Sequence, residues 1–302
     1  MPNQKPKCVI ILSSKSSGSS ALQKLLVKGN RGKYIINSRH KENETLFWVK
    51  AASILGLPQV NMLDSEVPIP RPKARAELIK LLTENLDSSY IPPVNDHELI
   101  FDGWRLLCQQ NMPIFIEKSP HHLHQWSALE LILECIDKLP CIDFLLIGLV
   151  RNPMDTLYSM WTRWKGIPEI NQYEWHNGYN NLLKLKKLIN EKLVIIRYED
   201  MVLNTGCLQK IYQFIDITDI SNNKHFHNDS LHKWKQDLFY GFKLSDKVMA
   251  LAEEYGYRYE DMLNESYPLW PLYRQTSRFF LYNFKRPIQS RAKGIKKIIR
   301  IN

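Results

Sequence analysis

The 302-residue chain is expected to form a three-layer α/β fold built on a central parallel sheet. Two observations carry that expectation. Short, nearly unbroken apolar runs stand at Cys8–Leu12, Ile114–Ile116, Asp143–Val150 and Leu193–Arg197, and strands apolar on both faces are those covered by helices on both sides. Segments with helical spacing alternate with them near Thr45–Leu55, Lys73–Leu86, Trp126–Lys138, Asp155–Trp164 and Tyr179–Ile189, the order expected of parallel strands joined by crossover helices.

Local signals place the joints. Ser13–Ser20 separates the first strand from a helical pattern that begins with Ala21, Leu22, Leu25 and Leu26. The proline cluster Pro68–Pro72 reads as a loop entering the helix at Lys73, and Pro153 suits the first turn of the helix after the third strand. Pro268 and Pro271, within Tyr267–Tyr273, mark a seam between a domain over 1–272 and a tail over 273–302.

Composition bounds the function. At 44% hydrophobic and 24% charged, the chain is neither disordered nor fibrous. Its longest apolar run, Phe144–Val150, is far short of the ~18 residues a membrane span requires. Lys5 and Lys7 precede only the short run Cys8–Leu12, so a leader is not expected and a cytoplasmic location is. Five cysteines without a CxxC pair point to reduced thiols in the core rather than to disulfides or a zinc site, and no metal is expected.

The net charge of +10 belongs almost wholly to the tail, which has nine basic residues and no acidic residue after Glu265. Ile295, Ile298 and Ile299 share one helical face, with Lys293, Lys296, Lys297 and Arg300 around it. A basic amphipathic helix of this kind suits an anionic membrane surface, each basic residue adding roughly 1 kcal/mol. A helix docked on the domain, an arm for an anionic polysaccharide and nonspecific nucleic-acid contact are the competing readings. No specific nucleic acid is expected as a partner.

Two segments have the makings of anion sites. Ser13–Ser20 joins a strand to a helix, where backbone N–H groups and the positive helix end converge. Gly18 permits close backbone approach, Ser17, Ser19 and Ser20 offer hydroxyls, and Lys15 adds a charge. A nucleoside-triphosphate loop would instead place Lys directly after its second Gly, which weighs against a nucleotide kinase or NTPase. In the second segment Arg151 stands at a strand's carboxyl end, where open α/β sheets bind ligands, and Ser159 falls about two helical turns on. Taken singly, each also reads as an ordinary cap or sheet-edge residue.

Together the two segments resemble the PAPS-dependent sulfotransferase family, carbohydrate or heparan-sulfate-like branch. Lys15-Ser16-Ser17-Gly18-Ser19-Ser20 looks like its 5′-phosphosulfate loop, and Arg151-Asn-Pro-x-Asp-x-x-x-Ser159 like its 3′-phosphate motif. Glu117-Lys118-Ser119-Pro120, Arg197-Tyr198-Glu199-Asp200-Met201 and Lys233-Trp234-Lys235-Gln236-Asp237-Leu238 follow in the family's order. The family usually has its loop cation where this chain has Ser16, one residue after Lys15.

The resemblance implies a P-loop-like sulfotransferase fold. The implied activity is transfer of a sulfuryl group from PAPS to a hydroxyl of a glycan or glycolipid, leaving adenosine 3′,5′-bisphosphate. It places Tyr198 near the adenine, returns Lys233, Trp234 and Lys235 to the nucleotide, and puts Lys118 at the transferred group. Arg39–Trp48 resembles the branch's Lys-Glu-x-x-Phe-Phe element, which makes Glu42 the base and sets Lys41 beside the sulfonate. His121 or His122 is the rival base, and Glu44 reads as a helix-start residue. A nucleotide-binding module without catalysis remains the other alternative. Of the aromatics at Trp161, Trp164, Tyr173, Trp175 and Tyr179, most suit the core, and Trp164-Lys165-Gly166 is the candidate wall for an acceptor.

Overall fold

The computed structural model describes residues 5–27, 32–35, 38, 42–62, 65–203, 205–216, 231–237 and 240–264. Lys41 and the whole of the tail lie outside them.

Among the described residues five parallel strands form one sheet in the order β2-β3-β1-β4-β5. They are β1 (Lys7–Ser13), β2 (Gly32–Lys33), β3 (Ile114–Lys118), β4 (Asp143–Val150) and β5 (Leu193–Arg197). Pairing runs Ile11 with Lys118, Ser13 with Leu149 and Val150 with Arg197. The carboxyl ends of β1, β3, β4 and β5 therefore meet along one edge, with β1 between β3 and β4.

The helices are α1 (Ser19–Val27), α2 (Phe47–Ile54), α3 (Arg71–Asn85), α4 (Asp96–Gln110), α5 (His121–His124), α6 (Trp126–Lys138), α7 (Pro153–Trp164), α8 (Pro168–Leu188), α9 (Tyr198–Leu203), α10 (Gln209–Phe214) and α11 (Asp246–Glu253). Alternation along the strands splits the core into two layers. Cys8, Ile10 and Leu12 face the larger cluster with α2, α4, α6, α7, α8 and α11. Val9 and Ile11 face the smaller one, built from Leu22, Leu25 and Leu26 of α1 with Met201, Ile211 and Tyr212. The expected three-layer α/β architecture is the one observed.

The short elements β2, α5, α9, α10 and α11 were not among the expected ones, and two longer helices also differ from expectation. The helix expected from Tyr179 begins at Pro168, on which its first turn is built. Helix α4 has no counterpart in the expectation. Asn95 caps it, accepting from the N–H groups of His97 (2.9 Å) and Glu98 (3.1 Å). Its Gly103 lies so close to α3 that a Cβ there would stand 2.8 Å from the Leu82 side chain. Cys8, Cys108 and Cys135 are free thiols buried in the core.

Candidate active site

The turn after β1 is pinned from below by one phenol. Fully buried Tyr179 of α8 donates its hydroxyl proton to the carbonyl of Leu149 on β4 (3.0 Å). Its oxygen accepts from the Ser14 N–H (3.3 Å) and from the Ser17 hydroxyl (2.9 Å). Burial pushes the phenol up to about 12, so it stays a neutral donor. Ser16 takes φ 63° and Gly18 φ 91°, and the Gly18 carbonyl accepts from the N–H groups of Ala21 and Leu22 to open α1.

Arg151 leaves the end of β4 and bends back over this turn. Its Nη1 donates to the Ser16 carbonyl (2.9 Å), and its guanidinium stacks on the Tyr198 ring at 4.6 Å. That ring lies against Gly18. The Asn152 side chain caps α7 by accepting from the Met154 N–H (2.9 Å). One turn on, buried Asp155 accepts from the His232 N–H (2.8 Å). Desolvation raises this carboxyl to about 6, against the opposing pull of Arg151 and His232.

The end of β3 holds a second buried network. Glu117 accepts from Thr45 Oγ1 (2.7 Å) and Ser119 Oγ (2.5 Å), with His122 Nε2 at 3.3 Å. Ser119 Oγ in turn accepts from the Leu46 N–H (3.0 Å), fixing a turn in which Asn43 and Leu46 both have positive φ. Burial pushes the Glu117 carboxyl up, and the His122, Ser119 and Thr45 contacts more than reverse this, holding it low. Lys118, 1% exposed, donates to Ser20 Oγ (3.1 Å), the Glu42 carbonyl (2.9 Å) and Glu44 Oε1 (3.3 Å).

These three strand ends open into one cleft of about 1260 Å³. Lys15, Ser16, Gly18, Ser19 and Ser20 from the β1 turn line it, as do Arg151 and Ser159 from the β4 side, Tyr198, and Lys233. Glu42, Glu44, Glu66 and His121 line it as well, together with Trp164 and Gly166. Among the described residues no three His, Cys, Asp or Glu side chains cluster as metal ligands.

A family model for sulfotransferases matches residues 6–221, which is most of the chain. The chain belongs to the sulfotransferase family. The sulfotransferase domain of the Synechococcus PCC 7002 olefin synthase shares its fold, with a TM-score of 0.51 at 18% identity. That likeness covers 85% of this chain and 98% of the other. None of the curated proteins matches the sequence.

In this sulfotransferase several of the residues expected at the nucleotide do not have their side chains in the lining of the cleft. Ser17 is fully buried and spends its hydroxyl on Tyr179. Trp234 is also fully buried and does not line the cleft. Lys235 stays outside, its ammonium 5.3 Å from the Trp234 ring, so of the two lysines only Lys233 lines the cleft. Lys118 is one layer behind the wall, because Ser20, Glu42 and Glu44 occupy its ammonium. Lys15 does reach the cleft, and Ser16 supplies the left-handed residue in the turn between it and Gly18.

On the other wall, Glu42 is exposed and its Oε2 accepts from Ser20 Oγ (3.2 Å). His121 lines the cleft, whereas His122 is turned inward to Glu117. Glu44 was expected only to start a helix; it is 6% exposed and joins Lys118 to His121. No local pattern marks it, because its partners are more than 70 residues away. Of the aromatics, Trp161, Trp175 and Tyr179 belong to the core, and Trp164 lines the cleft at 51% exposure.

Proposed function

We propose that this sulfotransferase moves the sulfuryl group of PAPS to a hydroxyl of a carbohydrate or glycolipid. One observation carries the reading: the β1 turn and the Arg151–Ser159–Lys233 side line the same cleft, on adjacent strands. PAPS has anionic groups at both ends of its ribose and suits two cationic regions held apart by one strand spacing. The cleft of about 1260 Å³ exceeds the ~300–1,000 Å³ typical for a single small ligand, which leaves room for an acceptor.

In-line transfer demands positioning and charge stabilisation more than covalent help. In this reading Lys15 and the N–H groups opening α1, which border the cleft, stabilise charge developing on the 5′ phosphate. In the same reading Arg151, Ser159 and Lys233, which line the cleft, take the 3′ phosphate. An acceptor hydroxyl also has to lose its proton, and Glu42, the base the family resemblance implies, and His121 both line the cleft. Trp164 offers a ring face for a sugar.

The tail over 273–302 is proposed to hold the enzyme on an anionic membrane, on the strength of its charge and apolar pattern alone. A chain ending at residue 272 is then expected to lose binding to phosphatidylserine vesicles.

The decisive experiment incubates the enzyme and [35S]PAPS with neutral glycolipids and glycans, and measures adenosine 3′,5′-bisphosphate binding by calorimetry in parallel. Label in an acceptor product supports the reading. Nucleotide binding with no transfer to any acceptor identifies a silent binding module, and absence of nucleotide binding overturns the assignment.

A further inference from the structure

The peptide between Arg151 and Asn152 is gripped on both sides. Its carbonyl accepts from Trp175 Nε1 of α8 (3.2 Å), and its N–H donates to Glu199 Oε1 (2.9 Å). Glu199 Oε2 accepts in turn from the Tyr257 hydroxyl (2.7 Å). Tyr257 is 6% exposed. Burial, helped by Glu199, holds its phenol well above the usual range, so the hydroxyl stays a donor.

The segment that carries Tyr257 follows α11 and is itself tied to the sheet. The Gly256 carbonyl accepts from Arg197 Nη1 at the end of β5 (2.7 Å), with the guanidinium 5.6 Å from the Tyr257 ring. The Asp261 carbonyl accepts from Asn152 Nδ2 (3.3 Å), and Tyr255 donates its hydroxyl proton to the Tyr179 carbonyl (2.6 Å). This segment lies beyond residues 6–221, the part that the sulfotransferase family model matches.

We propose that Glu199 and Tyr257 are positioning residues for the 3′-phosphate end of the nucleotide, acting through Arg151, and so set the enzyme's preference for a 3′-phosphorylated nucleotide. The inference rests on the sulfuryl-transfer reading, in which Arg151 meets that phosphate. Neither Glu199 nor Tyr257 lines the cleft, and their effect passes through the peptide they hold.

The N-terminus of α7 explains why Arg151 has to be aimed. The Asn152 N–H is spent on Glu199, Pro153 has none, and the Met154 N–H is spent on the Asn152 side chain (2.9 Å). These three positions therefore offer a phosphate no backbone donor, unlike the usual helix start. Side chains have to supply the charge, and a guanidinium grips a phosphate with two bonds only in the right orientation. With its peptide fixed, Arg151 starts in a set direction toward the Ser16 carbonyl (2.9 Å) and the Tyr198 ring.

Hydrogen exchange at the Asn152 amide of the whole enzyme is the first readout. Glu199→Ala is expected to speed it about 10-fold or more, and Glu199→Gln, which keeps an acceptor oxygen, to leave it within about threefold. Calorimetry with adenosine 3′,5′-bisphosphate and with adenosine 5′-phosphate supplies the second, as the ratio of the two affinities. Arg151→Ala is expected to reduce that ratio most. Glu199→Ala is expected to lower it about 10-fold and Tyr257→Phe about threefold, with Glu199→Gln recovering most of the loss. In the Arg151→Ala background, Glu199→Ala is expected to change the ratio by less than about twofold. Tyr257→Phe removes a single hydroxyl and carries the test where Glu199→Ala does not fold.

An Asn152 amide indifferent to Glu199→Ala overturns the proposal without reference to any nucleotide. So does a Tyr257→Phe enzyme whose affinity ratio is unchanged, because a purely structural role weakens both nucleotides equally. A further fall of the ratio when Glu199→Ala is added to Arg151→Ala overturns it too. A wild type that binds no adenosine 3′,5′-bisphosphate overturns the sulfuryl-transfer reading instead.

Discussion

The ring of Tyr198 occupies the space that a side chain on Gly18 would need: a Cβ there would lie 2.4 Å from Cε2. With Arg151 stacked on the same ring, the turn after β1 and the ends of β4 and β5 form one rigid assembly. Gly18→Ala is therefore expected to displace the ring and the guanidinium together, on top of the strain of φ 91°. Calorimetry should show adenosine 3′,5′-bisphosphate binding weakened by about 10-fold or more, while Ala substitution at exposed Gly56, which meets nothing within 4 Å, leaves it unchanged.

Tyr179→Phe keeps the packing and deletes the hydroxyl that ties Ser14, Ser17 and Leu149 together. The three stranded groups are buried, so a loss of about 1–3 kcal/mol is expected in urea unfolding. Nucleotide affinity should fall as well, because the turn loses its register with β4. Unfolding unchanged within 0.5 kcal/mol, on the order of a neutral surface substitution, would contradict this role.

Strands β1, β3, β4 and β5 were legible because each carries an apolar run, and β4 appears with the bounds expected of it, Asp143–Val150; β2, only Gly32–Lys33, carries no such run. Helix α4 was not, since Gly103 and the polar residues Asp96, His97, Glu98 and Asp102 obscure the stripe of Leu99, Ile100, Trp104 and Leu107. At the site, motif order located the Lys15–Ser20 turn and Arg151. Which side of a short turn faces inward is settled by distant contacts instead. Ser17 turns to Tyr179, Lys233 rather than Lys235 lines the cleft, and Glu44 is enclosed beside Lys118 and His121 in a turn whose Thr45 and Leu46 are bonded to Glu117 and Ser119.

Lys233 and Lys235 offer a direct comparison. Lys233→Ala removes a charge from the cleft and is expected to weaken nucleotide binding about 5–10-fold, with a shallower salt dependence. Lys235→Ala removes the same charge from outside the lining and is expected to leave binding within twofold. Equal effects would mean that net charge alone, and not placement, governs affinity.

Asp155 makes stability depend on pH in an unusual direction. Its carboxyl is raised to about 6 in the fold, mainly by burial, against an ordinary value of 3.8. The folded chain therefore holds this proton more tightly than the unfolded chain does. Its contribution is fully favourable below the unfolded value and is lost as pH rises through about 6, a change on the order of 2–3 kcal/mol. Asp155→Asn keeps an oxygen for the His232 N–H and removes the ionisation. Urea titrations between pH 4 and 7 should show the wild type losing stability relative to Asp155→Asn as pH rises, with the two curves parallel above pH 7. Nucleotide binding should follow the same sign, because ionised Asp155 places a negative charge beside Arg151 and one turn of α7 from Ser159. Affinity for adenosine 3′,5′-bisphosphate is thus expected to rise as pH falls toward 6 in the wild type and to be flatter in Asp155→Asn. If both enzymes show the same pH dependence, the carboxyl is already ionised without penalty and the burial argument fails.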